Sequence, residues 1–320
     1  MSPKRYRSRP NRVLVTGLGS FWGGRVAQAL EADENVEVIV GLDTTEPTVE
    51  LERTEYVRVD ANYSILARIV RAAQIDTIVH TFLVVDPTQM SQRATHEINV
   101  IGTMNLFAAA SAPNSTVRSV IVKSSTMVYG CSAYDPIWFD EHTPRSGSPR
   151  TPVERSLDAV EGYVRDFADD NPHVNVALLR FSNVIGADIE TPLSRALDLP
   201  YVPSLVGFDP RFQFVHEDDV IRSILFALDY DLPGVYNVAG DGLQHLPLAD
   251  RATIANMAPE YGATAVYFPI DRRTMDYLRM TGREEDQLEL VEAFARAQKL
   301  WRGADTPSPC FDTVVTLDLD

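Results

Sequence analysis

Thr16-Gly17-Leu18-Gly19-Ser20-Phe21-Trp22-Gly23 is the stretch on which the reading of this chain turns. Just before it, Arg12 to Val15 read as a short buried strand, and from within it Trp22, Val26, Ala29 and Leu30 recur at helical spacing. A glycine-rich turn that leaves a strand and opens a helix is a phosphate-holding context. Gly17 permits the tight turn, Gly23 permits close helix packing, and the free amides at the helix start can hold a pyrophosphate. The plainer alternative is a packing turn with no ligand.

Outward from this turn the apolar runs continue at Val36 to Leu42, Tyr56 to Val59 and Thr77 to His80, with Ile65, Leu66, Ile69, Val70 and Ala73 marking a helix between the last two. A long helical stretch from about Arg93 to Ala110 follows, then a strand at Ser119 to Val122, a helix near Val153 to Ala168 and a strand at Val174 to Arg180. Strands alternating with helices require parallel crossovers, and near-continuous apolar strands fit a sheet covered on both faces. The fold class expected is α/β, a doubly wound parallel sheet (Rossmann fold) with a smaller C-terminal substrate region. The expected organisation is a basic arm at 1–11, a nucleotide-binding domain at 12–180 and a substrate-binding region at 181–320. Within that region, segments near 214–240 return to the main domain. Prolines at 192, 200, 203 and 210 mark the looser stretch that follows the boundary.

Composition narrows the function classes. At 320 residues and 45% hydrophobic content the chain can bury a full core, and a formal net charge of -16 opposes nucleic-acid binding, which needs a basic face. The cluster Lys4, Arg5, Arg7, Arg9 and Arg12 reads as a solvated arm, since no apolar stretch follows to make it a signal peptide. No run approaches the roughly 18 apolar residues that span a bilayer. Only two cysteines occur, Cys131 and Cys310, so neither a disulfide framework nor a metal site is expected, which fits a reducing cytoplasm. Lysine is nearly absent, at Lys4, Lys123 and Lys299.

Asp43 ends the second strand, twenty residues after Gly23, where a carboxylate can accept hydrogen bonds from ribose hydroxyls and would repel a 2'-phosphate. This favours NAD over NADP, against the plainer reading of an ordinary loop carboxylate.

Further motifs stand in order along the chain: Val59-Asp60, Val79-His80-Thr81, Asn99-Val100-Ile101-Gly102-Thr103, Ser124-Ser125-Thr126-Met127-Val128-Tyr129-Gly130 and Leu179-Arg180-Phe181-Ser182-Asn183-Val184-Ile185-Gly186. Phe214-Val215-His216-Glu217-Asp218-Asp219-Val220 and Tyr236-Asn237-Val238-Ala239-Gly240 complete the set. Together with the glycine turn they resemble the extended short-chain dehydrogenase/reductases, the nucleotide-sugar epimerases and dehydratases, over roughly Arg12 to Gly240. The resemblance implies NAD as cofactor, bound along Gly17, Gly19, Ser20, Phe21, Trp22, Gly23 and Asp43. It also implies that Asp60 contacts the adenine, His80 and Thr81 line the cleft, and Asn99 stands in the central helix. Ser125 matches the hydroxyl that bonds the reacting oxygen, Phe181 the position beside the nicotinamide, and Asn183 the position beside a nucleotide-sugar diphosphate. For Ser125 a structural hydroxyl and a catalytic one stand as equal readings. The resemblance further implies a homodimer paired through the helices at Arg93 to Ala110 and Val153 to Ala168.

The chain departs from the family pattern at three places. Ser20 occupies the usual place of the middle glycine. Arg211 lies three residues before Phe214, one more than the family's diphosphate-binding arginine. In Val153-Glu154-Arg155-Ser156-Leu157-Asp158-Ala159-Val160-Glu161, aligned on Ser156 and Glu161, the family's catalytic tyrosine and lysine fall on Val153 and Leu157, and neither can move a proton. Val153, Leu157, Val160, Val164 and Phe167 read instead as one apolar stripe, while Tyr134, Tyr163 and Arg155 are candidates to reach the site in the dyad's place. Two functions from different classes follow: an atypical NAD-dependent oxidoreductase or isomerase acting on a nucleotide sugar, or a non-catalytic dinucleotide-binding regulatory or structural protein. The last eighty residues do not match the family clearly.

Overall fold

The computed structural model describes residues 11–59, 63–86, 90–130, 132, 135, 139–197, 213–239, 270–298 and 300–302. The chain divides into two compact units, Met1–Gly240 and Asp241–Asp320.

The first unit is the doubly wound sheet expected from the alternating pattern. Its strands are β1 (Arg12–Thr16), β2 (Val38–Asp43), β3 (Thr54–Arg58), β4 (Thr77–His80), β5 (Ser119–Ser125), β6 (Asn175–Phe181) and β9 (Gly234–Val238), in spatial order β3-β2-β1-β4-β5-β6-β9. Every neighbouring pair in this sheet runs parallel. A separate two-stranded ladder joins β7 (Asn183–Ile185) to β8 (Phe214–His216), with the short helix α6 (Pro192–Leu197) between them in the chain.

Side chains alternate across the strands, and both faces are apolar. On one face Leu14, Ile78, Val120, Val122 and Leu178 pack under α2 (Tyr63–Ala72), α4 (Gly102–Ala110) and α5 (Pro152–Asp170). On the other, Val13, Val15, Val79, Ile121 and Leu179 pack under α1 (Phe21–Glu31) and α7 (Glu217–Asp229). Burial on both sides is why the strands read as unbroken apolar runs.

Capping sets where α5 begins. The Thr151 hydroxyl accepts from the Glu154 amide, and Pro152 opens the helix where its missing N–H costs nothing. The stripe Val153, Leu157, Val160, Val164 and Phe167 is buried, and Phe167 stacks on Phe107 of α4 with ring centroids 4.8 Å apart.

The stretch expected as a single helix from Arg93 to Ala110 is divided. It runs as α3 (Gln92–His96), a π-helical turn (Glu97–Ile101) and then α4. The widened turn contains Asn99, whose side-chain amide bonds both backbone groups of Val84. A π-turn inside a helix commonly marks a functional position.

In the second unit the described residues form α8 (Arg272–Met280) and α9 (Glu285–Ala297), with a parallel bridge between Ile270 and Trp301. Met275, Leu288, Ala295 and Trp301 make a small core of their own, and the Arg296 guanidinium lies 4.5 Å from the Trp301 ring centre. No helix among the described residues is long and apolar enough to cross a membrane.

Candidate functional site

The strand order reverses between β1 and β4, and in open parallel sheets ligands bind beyond the carboxyl ends of the strands at such a point. A cleft opens there, lined by Thr16 at the end of β1 and Gly17 after it, Asp43 at the end of β2, and His80 at the end of β4 with Phe82 beyond it, together with Gly102 and Leu106 from α4.

The glycine turn is shaped by close backbone approach. Gly17 has φ +76°, and a Cβ on Gly23 would stand 2.1 Å from the Gly17 carbonyl oxygen, so no side chain fits at 23 without moving the turn. Ser20 is accommodated where the family pattern has glycine because its side chain folds back as the N-cap of α1. Its Oγ donates to the Gly17 carbonyl at 2.6 Å and accepts from the Gly23 amide at 3.1 Å. The amides of Phe21 and Trp22, first and second in the helix, have no intrahelical acceptor by position. Amides left open at a helix start are a place where an anion can be held.

Asp43 is buried and already loaded. One carboxylate oxygen accepts from the Gly19 amide at 2.9 Å, the other from the amides of Thr44 and Thr45 at 2.6 and 3.1 Å. The residue therefore pins the end of β2 to the glycine turn as well as presenting a negative charge at the cleft.

His80 and Thr81 build the wall opposite. Thr81 Oγ1 donates to the Thr16 carbonyl, and the His80 ring is held between Thr16 Oγ1 at Nδ1 and Thr103 Oγ1 at Nε2. Because Thr103 gives its own proton to the Asn99 carbonyl, it accepts from Nε2–H, so Nδ1 accepts from Thr16. Burial pushes the imidazole down to about 4, and it stays neutral at physiological pH. Asn99 holds the segment after β4 through Val84 and lies behind the cleft wall, fully buried.

Ser125 ends β5, and its Oγ accepts from the Met127 amide at 3.2 Å at the start of a 3-10 turn (Thr126–Tyr129). Among the described residues its hydroxyl proton has no protein acceptor. Phe181 ends β6 in register with Ser125 and is buried. Asn183 lies on β7, and its side-chain amide donates to the Gln213 carbonyl. Asp60, Arg211 and Tyr134 lie outside the described residues.

Two features of the first unit were not assigned a role from the sequence. The first is a buried polar network. The Arg180 guanidinium makes a forked pair with Glu161, at 2.6 Å for its shortest contact, and also donates to Tyr129 Oη at 2.6 Å. Ser124 Oγ donates to Glu161, and Tyr129 Oη lies 2.8 Å from Asn237 Oδ1, which ties β5, α5, β6 and β9 together. Its sequence signal is a charged residue at an inward position of an otherwise apolar strand and another beside an apolar stripe. The second is Lys123, a buried lysine within β5 whose amine lies 5.0 Å from the Trp22 ring centre and 6.0 Å from that of Phe181.

A parallel-sheet Rossmann unit with a glycine cradle at its switch point defines a nucleotide-binding protein. The chain belongs to the NAD dependent epimerase/dehydratase family, whose model matches residues 13–239. An uncharacterized protein of Mycobacterium tuberculosis is 34% identical over 289 residues, covering 84% of this chain and 75% of that protein. Among solved structures, DesIV, a dTDP-glucose 4,6-dehydratase of Streptomyces venezuelae with NAD and TYD bound, superposes with TM-score 0.59 at 25% identity, over 79% of this chain and 81% of that one. The UDP-glucuronic acid 4-epimerase of Bacillus cereus, in complex with UDP-glucuronic acid and NAD, has the same fold, with TM-score 0.58 at 21% identity, over 72% of this chain and 77% of that one.

The C-terminal part carries a second resemblance that the sequence reading did not find. Residues 217–320 match the model of the aconitase family (aconitate hydratase). Aconitate hydratase A of Escherichia coli is 59% identical over 81 residues, which is 25% of this chain and 9% of that protein. So small a share of that enzyme does not bring its activity with it.

Proposed function

We propose that this chain binds NAD in the cleft at the β1–β4 switch point and acts as an atypical oxidoreductase or isomerase on a nucleotide sugar or similar carbinol substrate. The observation that carries the reading is the cradle itself, a glycine turn that leaves no room for a Cβ at position 23, opposed by a carboxylate at the end of β2. The residues fit the group: the amides of Phe21 and Trp22 take the pyrophosphate, Asp43 faces the adenosine ribose, and Gly17 and Gly19 shape the turn. His80, Thr81 and Asn99 hold the opposite wall. Bound NAD supplies a hydride acceptor.

On the substrate side Ser125 has a free hydroxyl proton with which to polarise a sugar oxygen, and Asn183 and Arg211 are the diphosphate-side candidates. The substrate-side region spans 181–320, with the segments near 214–240 returning to the main sheet. Val153 and Leu157 are buried among apolar neighbours and supply no proton, so any chemistry proceeds without the family's dyad. Exposed Ile101, Met104 and Tyr163 lie on the segments through which a homodimer would form. The acidic charge fits a protein that does not bind nucleic acid, and the two widely spaced cysteines fit a cytoplasmic one.

Titration calorimetry tests the cofactor. NAD should bind more tightly than NADP, and Asp43→Asn, which removes the charge but keeps one acceptor oxygen, should narrow the gap. Equal affinities for the two dinucleotides in the unaltered protein overturn the assignment of Asp43, and no binding of either overturns the function.

A further inference from the structure

Lys123 is the one buried cation of the first unit with no anionic partner among the described residues. It sits within β5, and the residue is 4% exposed. Its amine has three hydrogen-bond donors, yet its contacts are two aromatic faces, Trp22 at 5.0 Å and Phe181 at 6.0 Å. Ring faces attract an ammonium but accept no strong hydrogen bonds, and a buried charge without an acceptor is costly.

The charged groups on the surrounding elements are engaged elsewhere. Arg25 of α1 pairs with Asp188 and Asp218, and Asp219 of α7 pairs with Arg222. Glu217 accepts from the amides of Asp188 and Ile189, and Glu31 from those of Glu52, Arg53 and Thr54. Across the sheet Arg180 of β6 is bound to Glu161, and His80 of β4 is a neutral link between Thr16 and Thr103.

The two rings that flank the amine stand on the elements that border the cleft: the helix that follows the glycine turn and the end of β6. Trp22 is in the first turn of α1, whose leading amides are open to an anion by position, and Phe181 ends β6 in register with Ser125. Residues two apart on a strand share a face, so Lys123 and Ser125 lie along the same side of β5. The missing partner of the amine is therefore to be sought in the ligand. We propose that Lys123 is a dinucleotide-binding residue, its ammonium completed by the anionic pyrophosphate–ribose stretch that runs from the start of α1 toward Phe181. This rests on the cleft being a dinucleotide site.

Burial pushes the Lys123 amine down to about 8 in the free protein, and an anion beside it reverses that shift. Because the ligand prefers the protonated amine, affinity is steady below about pH 8. Above that it weakens by about tenfold per pH unit, until the pKa of the bound state is reached.

With lysine at Lys4, Lys123 and Lys299, protein labelled with 13C at the lysine ε-carbon gives three signals to follow by NMR, assigned with Lys123→Met. The expected result is a Lys123 signal that titrates near 8 in the free protein and at least about one unit higher when NAD is saturating. Lys123→Met, which keeps the apolar stem, should weaken NAD by about tenfold or more at neutral pH, remove the alkaline dependence and leave adenosine affinity unchanged, since adenosine carries no phosphate and reaches the Asp43 end alone. An unmoved Lys123 titration in the NAD-saturated wild-type protein overturns the assignment, and this measurement does not depend on the variant folding. NAD binding by a folded Lys123→Met protein with wild-type affinity and pH profile also overturns it while the proposed function stands. No NAD binding by the unaltered protein overturns both.

Discussion

The Ser20 hydroxyl accepts a hydrogen bond from the Gly23 amide at 3.1 Å, so the residue that replaces a glycine in the turn also occupies one of the amides that the start of a helix offers to an anion. Capping and ligand binding therefore compete at this position. Ser20→Ala should cost about 1 kcal/mol of stability through loss of the cap, while Ser20→Gly should cost only a few tenths. Ser20→Gly also frees the Gly23 amide, and NAD affinity should rise in that variant. Thermal unfolding and calorimetry on the two proteins check this, and equal or weaker NAD binding by the glycine variant contradicts it.

His80 sets an acid limit on stability. Its imidazole is pushed by burial from 6.5 to about 4 in the folded protein, so between those values the unfolded chain binds the extra proton. The sign follows: the contribution is complete above pH 6.5 and is lost as pH falls toward 4, reaching about 3 kcal/mol at the lower end. Denaturant unfolding at a series of pH values should show stability falling across this window by up to one proton's worth of slope. In His80→Asn that component of the slope should be absent. A wild-type curve flat between pH 4 and 6.5 would show that His80 is solvated rather than held neutral.

How much of this was legible in the sequence depends on the range of the interactions involved. The parallel sheet and the glycine turn were readable because apolar periodicity and turn chemistry are local. The return of β9 beside β6 was readable only in outline, from an apolar run at Val235 to Ala239. The π-turn at Asn99 was not legible, since it goes with a tertiary bond to Val84 that apolar spacing does not report. The pairing of Glu161 with Arg180 depends on α5 lying against β6, and Lys123 is distinguished from an ordinary strand lysine only by the two rings that enclose it. Ser20 stands out in the sequence only as a replacement for the family's middle glycine, and that its side chain turns back to cap its own helix is a matter of three-dimensional geometry.

The Glu161–Arg180 pair joins α5 to β6 inside the core, and the two partners are not equivalent to a surface ion pair. Deleting one leaves the other charged and buried, an imbalance that typically costs about 3–5 kcal/mol. Glu161→Ala should therefore destabilise the first unit by that order, and it should also release Ser124, whose hydroxyl loses its acceptor. Replacing both, Glu161→Leu with Arg180→Met, should recover much of the loss because no unpaired charge remains. Urea unfolding of Glu161→Leu, Arg180→Met and the double variant checks the cycle, and a double variant as unstable as the sum of those two singles would show that the pair is not coupled.

Val153 and Leu157 stand where the family's catalytic pair aligns, and their surroundings determine what restoring that pair would do. Leu157 is fully buried, and with Val153 and Val160 it belongs to the core that α5 shares with α4. A lysine at 157 would place an ammonium among apolar side chains with no carboxylate assigned to it, and a tyrosine at 153 would overfill a site built for valine. Val153→Tyr with Leu157→Lys should consequently be less stable than the parent by several kcal/mol, with the lysine as the larger contributor. If the new pair reaches a bound dinucleotide, saturating NAD should restore part of that loss by linkage, and nicotinamide reduction with UDP-sugars should rise. If NAD restores nothing, the helix faces the core at these positions and the alignment carries no chemistry. The unaltered protein should show very low epimerase turnover, since no proton-transfer group stands at either aligned position. Robust turnover would mean that another side chain handles the proton and would displace this view of the site.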